Sequence, residues 1–144
     1  MAITRYATAH WQGDLKSGKG TLATPASGLL ADTPYGFNSR FGDAKGTNPE
    51  ELIAAAHAAC FAMAFSAQLG GAGLKPERVD AKATVTLEKV GDAWEVTESH
   101  LEMRARIPGA DQAAFEKAAK AAEEGCPISK LLKAKITLDA KLEG

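Results

Sequence analysis

Thr47-Asn48-Pro49-Glu50-Glu51-Leu52-Ile53-Ala54-Ala55-Ala56-His57-Ala58-Ala59-Cys60-Phe61-Ala62-Met63-Ala64-Phe65-Ser66-Ala67-Gln68-Leu69-Gly70-Gly71 is the stretch on which the fold turns. Thr47 or Asn48 can cap a helix, Pro49 suits its first position, and Glu50 and Glu51 fall in its first turn. Thr47/Glu50 and Asn48/Glu51 both have capping-box spacing, so the register is open by one residue. The helix is expected over 48–70, with Gly70, Gly71 and Gly73 as its stop. Its middle is apolar on nearly every side, which means that protein should surround it, and a partner subunit is expected to supply part of that cover. The most apolar part, Leu52 to Phe65, is interrupted by His57 and falls short of the ~18 residues of a membrane span.

Around this helix the pattern changes. Residues 1–45 read as a β section, with a strand from Ile3 to Trp11, a glycine-punctuated turn at Gly13, Gly18 and Gly20, and extended chain from Thr21 to Thr24. Pro34-Tyr35-Gly36 turns the chain before Phe37–Phe41. Residues 78–144 mix both types. Val79, Ala81, Ala83, Val85 and Leu87 alternate with polar neighbours. Trp94 and Val96 lie on the opposite parity to Leu101, Met103, Ala105 and Ile107, so a bulge is expected near 97–100. Asp111 caps a helix from about 112 to 124 closed by Gly125, Cys126-Pro127 opens a short helical turn through Leu132, and Ile136, Leu138, Ala140 and Leu142 mark a final strand. The expectation is a single domain over 1–144 of the α+β class, antiparallel sheets packed by helices.

Length and charge agree with that class. A chain of 144 residues, 45% hydrophobic, buries a core without staples. Seventeen basic against 18 acidic residues leave a net charge of −1, with no electrostatic footprint for nucleic acid. The start, Met1-Ala2-Ile3-Thr4-Arg5-Tyr6, is no secretory leader, so a cytoplasmic protein without a membrane partner is expected.

In that compartment the 2 cysteines are either inert or chemical. Cys60, in mid-helix, reads on position alone as a small buried hydrophobe. Cys126 sits between Gly125 and Pro127 at a helix start, where unpaired N–H groups favour a thiolate. If the two met, they would form a nucleophile and resolver pair: one attacks a peroxide O–O bond to give a sulfenic acid, and the other condenses with it to a disulfide. A low-pKa thiol needs a cation, and Arg40, flanked by Phe37 and Phe41, is the candidate among five arginines. Glu50 lies ten residues before Cys60, about 15 Å of helical rise, so a glutamate acting with Cys60 must come from a second subunit or orient an arginine at a distance. First-turn glutamates also have a commonplace role in stabilising the helix dipole. His10, His57 and His100 have no metal spacing, and no metal or cofactor is expected. His57 and Cys60 share a helix face, which leaves a thiol hydrolase as a weaker reading for want of a third orienting group.

Tyr35-Gly36-Phe37-Asn38-Ser39-Arg40-Phe41, Gly46-Thr47-Asn48-Pro49-Glu50-Glu51-Leu52-Ile53, Ala55-Ala56-His57-Ala58-Ala59-Cys60-Phe61, Ala9-His10-Trp11 and Gly125-Cys126-Pro127-Ile128-Ser129 together closely resemble the OsmC family of osmotically inducible peroxidases. The resemblance runs along essentially the whole chain. It implies an intertwined homodimer with active sites at the interface, and thiol-dependent reduction of organic hydroperoxides in oxidative or osmotic stress. It also implies Cys60 as the peroxide-attacking cysteine, Cys126 as the resolving one and Arg40 with Glu50 as the Arg–Glu pair. The implied reductant is a dithiol, with lipoyl groups on partner proteins as donors. The sister branch of organic hydroperoxide resistance proteins carries its arginine in the first hairpin loop, whereas here Gly13–Gly20 holds none. Phe37, Phe41, Phe61, Met63 and Phe65 are the apolar residues expected near the substrate, although Phe61 and Met63 point to different helix faces. The rival reading is a dimeric binding protein for an apolar ligand, its cysteines inert.

Overall fold

The computed structural model describes residues 1–144. The chain forms two compact units, Met1–Leu52 and Ile53–Gly144, and their boundary falls within the first turns of the long helix.

In the first unit, β1 (Thr8–Gln12), β2 (Lys19–Ala23) and β3 (Thr33–Tyr35) make an antiparallel meander in that order. The first strand starts at Thr8, five residues later than Ile3, and the Lys19-Gly20 pair expected in a turn belongs to β2. Gly20 is required there because a Cβ would lie 2.5 Å from the Tyr35 ring and 2.6 Å from the Trp11 ring. Those rings meet across it with centroids 5.5 Å apart. Phe37–Phe41, expected within the β section, is instead the short helix α1. The cause is local: the Gly36 amide donates to Ser39 Oγ at 3.0 Å, and the Ser39 hydroxyl reaches the Thr47 carbonyl at 3.0 Å. This side-chain capture of backbone groups favours a helical turn over a strand.

Helix α2 (Pro49–Gly71) follows. Asn48 is its cap: Oδ1 accepts from the Glu51 amide at 2.8 Å while Nδ2 donates to the Ser39 carbonyl at 3.0 Å. That settles the one-residue ambiguity, and the Thr47 hydroxyl donates to Glu51 Oε1 at 2.7 Å instead of capping. At 23 residues α2 is long and apolar enough to cross a membrane, contrary to the length expected from its apolar middle. One stripe at i, i+4 spacing, His57, Phe61, Phe65 and Leu69, is nevertheless buried in protein. Ala55, Ala56, Ala59, Met63 and Ala67 are exposed on the chain by itself.

In the second unit β4 (Arg78–Val90) and β5 (Ala93–Arg106) form a long hairpin. Its register shifts between Thr86, opposite Glu98, and Leu87, opposite Val96, leaving Thr97 as the extra residue. The bulge lies where the parity change puts it, and it turns Ser99, Leu101, Met103 and Ala105 inward. The chain then crosses through α3 (Gln112–Gly125) and α4 (Pro127–Leu131) to β6 (Lys135–Glu143). Here the structure departs from an all-antiparallel sheet, because β6 pairs parallel to β5 in the order β4-β5-β6. A helical crossover between neighbouring strands produces that direction. Asp111 caps α3, accepting from the Ala114 amide at 2.7 Å. Phe61, Phe65 and Leu69 of α2 join Leu101, Met103, Ala105 and Ile107 and the α3 face Phe115, Ala118, Ala119 and Ala122 in one core.

Candidate functional site

Cys126 is held between two helix ends. Its amide closes α3 by donating to the Ala122 carbonyl at 3.0 Å, and its sulfur caps α4 by accepting from the Ser129 amide at 3.5 Å. Pro127 fits the first position of α4, where no amide is needed. The crossover thereby brings Cys126 Sγ to 3.0 Å from Cys60 Sγ, across 66 residues of sequence. This is hydrogen-bonding distance for two thiols, about 1 Å longer than a disulfide, and both cysteines are free.

The two sulfurs differ in acidity. Burial and the bond to Cys126 push the Cys60 thiol up from its ordinary 9.0, against a smaller opposing effect of the Ile128 backbone. Burial also acts against a Cys126 thiolate, but hydrogen bonds from Cys60, from Ser129 through its amide and hydroxyl, and from the Ile128 backbone outweigh it, and its pKa falls. Within one chain, Cys126 is therefore the more acidic of the pair.

His57, three residues before Cys60 on α2, is fully buried. Its Nδ1 is 2.6 Å from Ser99 Oγ on β5 and its Nε2 is 2.8 Å from Ser129 Oγ on α4. Burial holds its pKa below 6.5, so the ring is neutral at pH 7. Ser99 and Ser129 escaped the reading of the sequence. A signal for Ser99 was there: it is a polar residue at the core-facing parity of Leu101 and Met103. Ser129 stood inside the Gly125–Ser129 motif without a role of its own. No triad with His57 as the base for Cys60 forms, since both ring nitrogens are taken by serines. The chain has no cluster of three or more metal-ligating side chains.

In the first unit Arg40 and Glu50 form a two-pronged pair, Nε to Oε1 and Nη2 to Oε2, both at 2.9 Å. The Glu50 bond holds the Arg40 guanidinium pKa above its ordinary value, against partial desolvation. Its carbon lies 5.2 Å from the centre of the Phe41 ring. Asn48 fixes the start of α2 to α1, so the same local capping that makes α1 a helix sets Arg40 opposite Glu50. Trp11, Leu15, Tyr35, Phe37 and Phe41 surround Arg40 in a cavity of about 280 Å³.

Of the five apolar residues expected near substrate, Phe37 and Phe41 line this cavity, their centroids 5.0 Å apart. Phe61 and Phe65 do not line an opening. They are fully buried in the core, Phe65 edge-on to Phe115 at 5.7 Å. Period-3.6 geometry directs them inward with His57, whereas Met63, two residues from each, is 75% exposed on another face of α2.

Residues 42–141 match the family described as OsmC-like protein. The chain is 50% identical over 143 residues to the peroxiredoxin OsmC of Escherichia coli strain K12, covering 99% of each. It is 29% identical over 128 residues to the organic hydroperoxide resistance protein of Xanthomonas axonopodis pv. citri, covering 88% of this chain and 87% of that one. Among solved structures, an OsmC-like protein of unknown function from Vibrio cholerae superposes with a TM-score of 0.76 at 16% identity, covering 96% of this chain and 99% of that one.

Proposed function

The chain belongs to the OsmC family and is a thiol peroxidase, and on that premise we propose the division of labour among its residues. Cys60 attacks the terminal oxygen of an organic hydroperoxide; the O–O bond breaks, the sulfur is oxidised to a sulfenic acid, and the departing alkoxide takes a proton to leave as an alcohol. Cys126 then attacks the sulfenic sulfur. An S–S bond forms, the S–O bond breaks, and hydroxide leaves with the Cys126 proton as water. An external dithiol, with a lipoyl group on a partner protein as the physiological form, reduces the disulfide and is itself oxidised.

The 3.0 Å approach of the two sulfurs is the observation that carries this reading, because attack on the sulfenic sulfur then needs almost no movement. No cation is among the causes that act on the Cys60 thiol, and its pKa is raised. We assign the cation that its thiolate needs to Arg40 of a second copy, oriented by its own Glu50, so that the working enzyme is a homodimer. The guanidinium would hold Cys60 as thiolate and stabilise charge on the breaking peroxide. The exposed apolar face of α2 supports such an assembly, and the aromatic cavity around Arg40 suits an alkyl or lipid chain. The working compartment in this reading is the cytoplasm, where a dithiol donor keeps the pair reduced.

Counting free thiols before and after one equivalent of an organic hydroperoxide tests the proposal. Two thiols per chain should disappear in the wild type and none in Cys60→Ser. Cys126→Ser should lose one, trapped as a sulfenic acid. Dithiol-driven turnover surviving in Cys60→Ser, or a wild type that keeps both thiols, refutes it and favours a binding protein with inert cysteines.

A further inference from the structure

Ser99 Oγ, His57 Nδ1, His57 Nε2 and Ser129 Oγ form a buried chain of hydrogen bonds, and the backbone amide of the same Ser129 donates to Cys126 Sγ. No buried side-chain nitrogen or oxygen is left without a partner. A neutral imidazole has one N–H and one acceptor nitrogen, so the chain can run in either of two directions. If Nδ1 carried the hydrogen, Ser129 would have to give its only hydroxyl hydrogen to Nε2 and would have none for the sulfur. If Nε2 carries it, Ser99 donates to Nδ1, His57 donates to Ser129 Oγ, and the Ser129 hydroxyl is free to point at Cys126 Sγ. The Ser129 amide already points there at 3.5 Å. Every hydrogen then leans toward the sulfur, each bond polarising the next.

We propose that His57 is a positioning residue for Cys126: its Nε2–H donates to Ser129 Oγ, turns the serine hydroxyl onto the sulfur, and keeps that sulfur ready to attack. The idea rests on Cys126 being the resolving cysteine. It gives His57 and Ser129 a part in disulfide formation and leaves the attack on peroxide to Cys60. The groups that face one another here are His57 and Cys60 from α2, Ser99 from β5, and Cys126 and Ser129 at the α3–α4 junction. No carboxylate, lysine or arginine of the chain contributes to the shifts of His57 or either sulfur.

The test uses the full-length protein with Cys60→Ser, so that Cys126 is the sole thiol, and follows thiolate absorbance against pH. Ser129→Ala should raise the Cys126 midpoint by about one to two pH units, a ten- to hundredfold loss of thiolate at neutral pH. Ser129→Thr, which keeps the hydroxyl, should restore it. His57→Leu should raise it by about one unit. His57→Gln, which can still place an N–H near Ser129, should stay close to the parent. With Cys60 present, the Ser129→Ala and His57→Leu proteins should accumulate trappable sulfenic acid, slowing disulfide formation at least tenfold more than peroxide consumption. Unchanged midpoints in Ser129→Ala overturn the proposal, and that variant decides the matter should His57→Leu fail to fold. A wild type inert to hydroperoxide would instead defeat the peroxidase assignment, while the Cys126 midpoints would still be read.

Discussion

Acidifying the protein should destabilise it through His57. The ring has no exposed surface, both nitrogens are bonded to serines, and burial depresses its pKa, so the folded chain resists the proton that the unfolded chain accepts near 6.5. The neutral ring therefore contributes its full stabilisation above pH 6.5. That stabilisation is lost as the pH falls from there toward the depressed folded value. With the folded state taking up no proton at His57, one group titrating at 6.5 in the unfolded state costs about 1.3 kcal/mol between pH 7 and pH 5.5, approaching about 1.4 kcal/mol per pH unit at the acid end. Carboxylates add a background slope of their own. The assay is therefore a difference: urea unfolding at fixed protein concentration, wild type against His57→Gln, at pH 7, 6.5, 6 and 5.5. The variant should be less stable at pH 7, and the gap should close by about 1 kcal/mol on going to pH 5.5. Parallel stability curves for the two proteins would mean that His57 titrates normally, and the argument for a buried neutral ring would fail.

Two further outcomes follow from the geometry. Arg40→Lys keeps a charge but loses the two-pronged contact with Glu50, so kcat/KM for an organic hydroperoxide should drop tenfold or more while urea stability changes by less than about 1 kcal/mol, as befits a partly exposed pair. Equal activity would remove Arg40 from the mechanism. Phe65→Ala empties a fully buried ring position packed on Phe115 and Phe61 and should cost about 3–5 kcal/mol by denaturant titration. A loss below about 1 kcal/mol would show that the core sits elsewhere.

Helix α2, the strand alternation, the bulge at Thr97 and the α3–Cys126–α4 junction were legible because each has a local cause: a cap, a period, a parity change, a proline at a helix start. Helix α1 was missed because its cause is a serine reaching back three residues and forward to Thr47, a pattern that hydrophobic periodicity does not register. The parallel direction of β6 was missed because a strand's alternation is the same in either direction; the crossover decides it. The sulfur pair was legible only as a condition, since sequence spacing carries no information on a contact spanning 66 residues. Phe61 and Met63 were legible as lying on different faces of α2, but not which face is buried; the stripe through His57 claims Phe61 and Phe65 for the core.

The parallel pairing of β5 with β6 also sets a timetable. A chain leaving the ribosome presents Cys60 when neither the crossover nor its closing strand has yet been made. Cys126 follows 66 residues later, and the strand 135–143 that closes the crossover comes after both. Until Cys126 has emerged, the first thiol has no mate and the nascent polypeptide has no redox couple. The capacity to make and break the sulfur–sulfur bond thus belongs to the closed crossover and not to the helix that carries the first thiol.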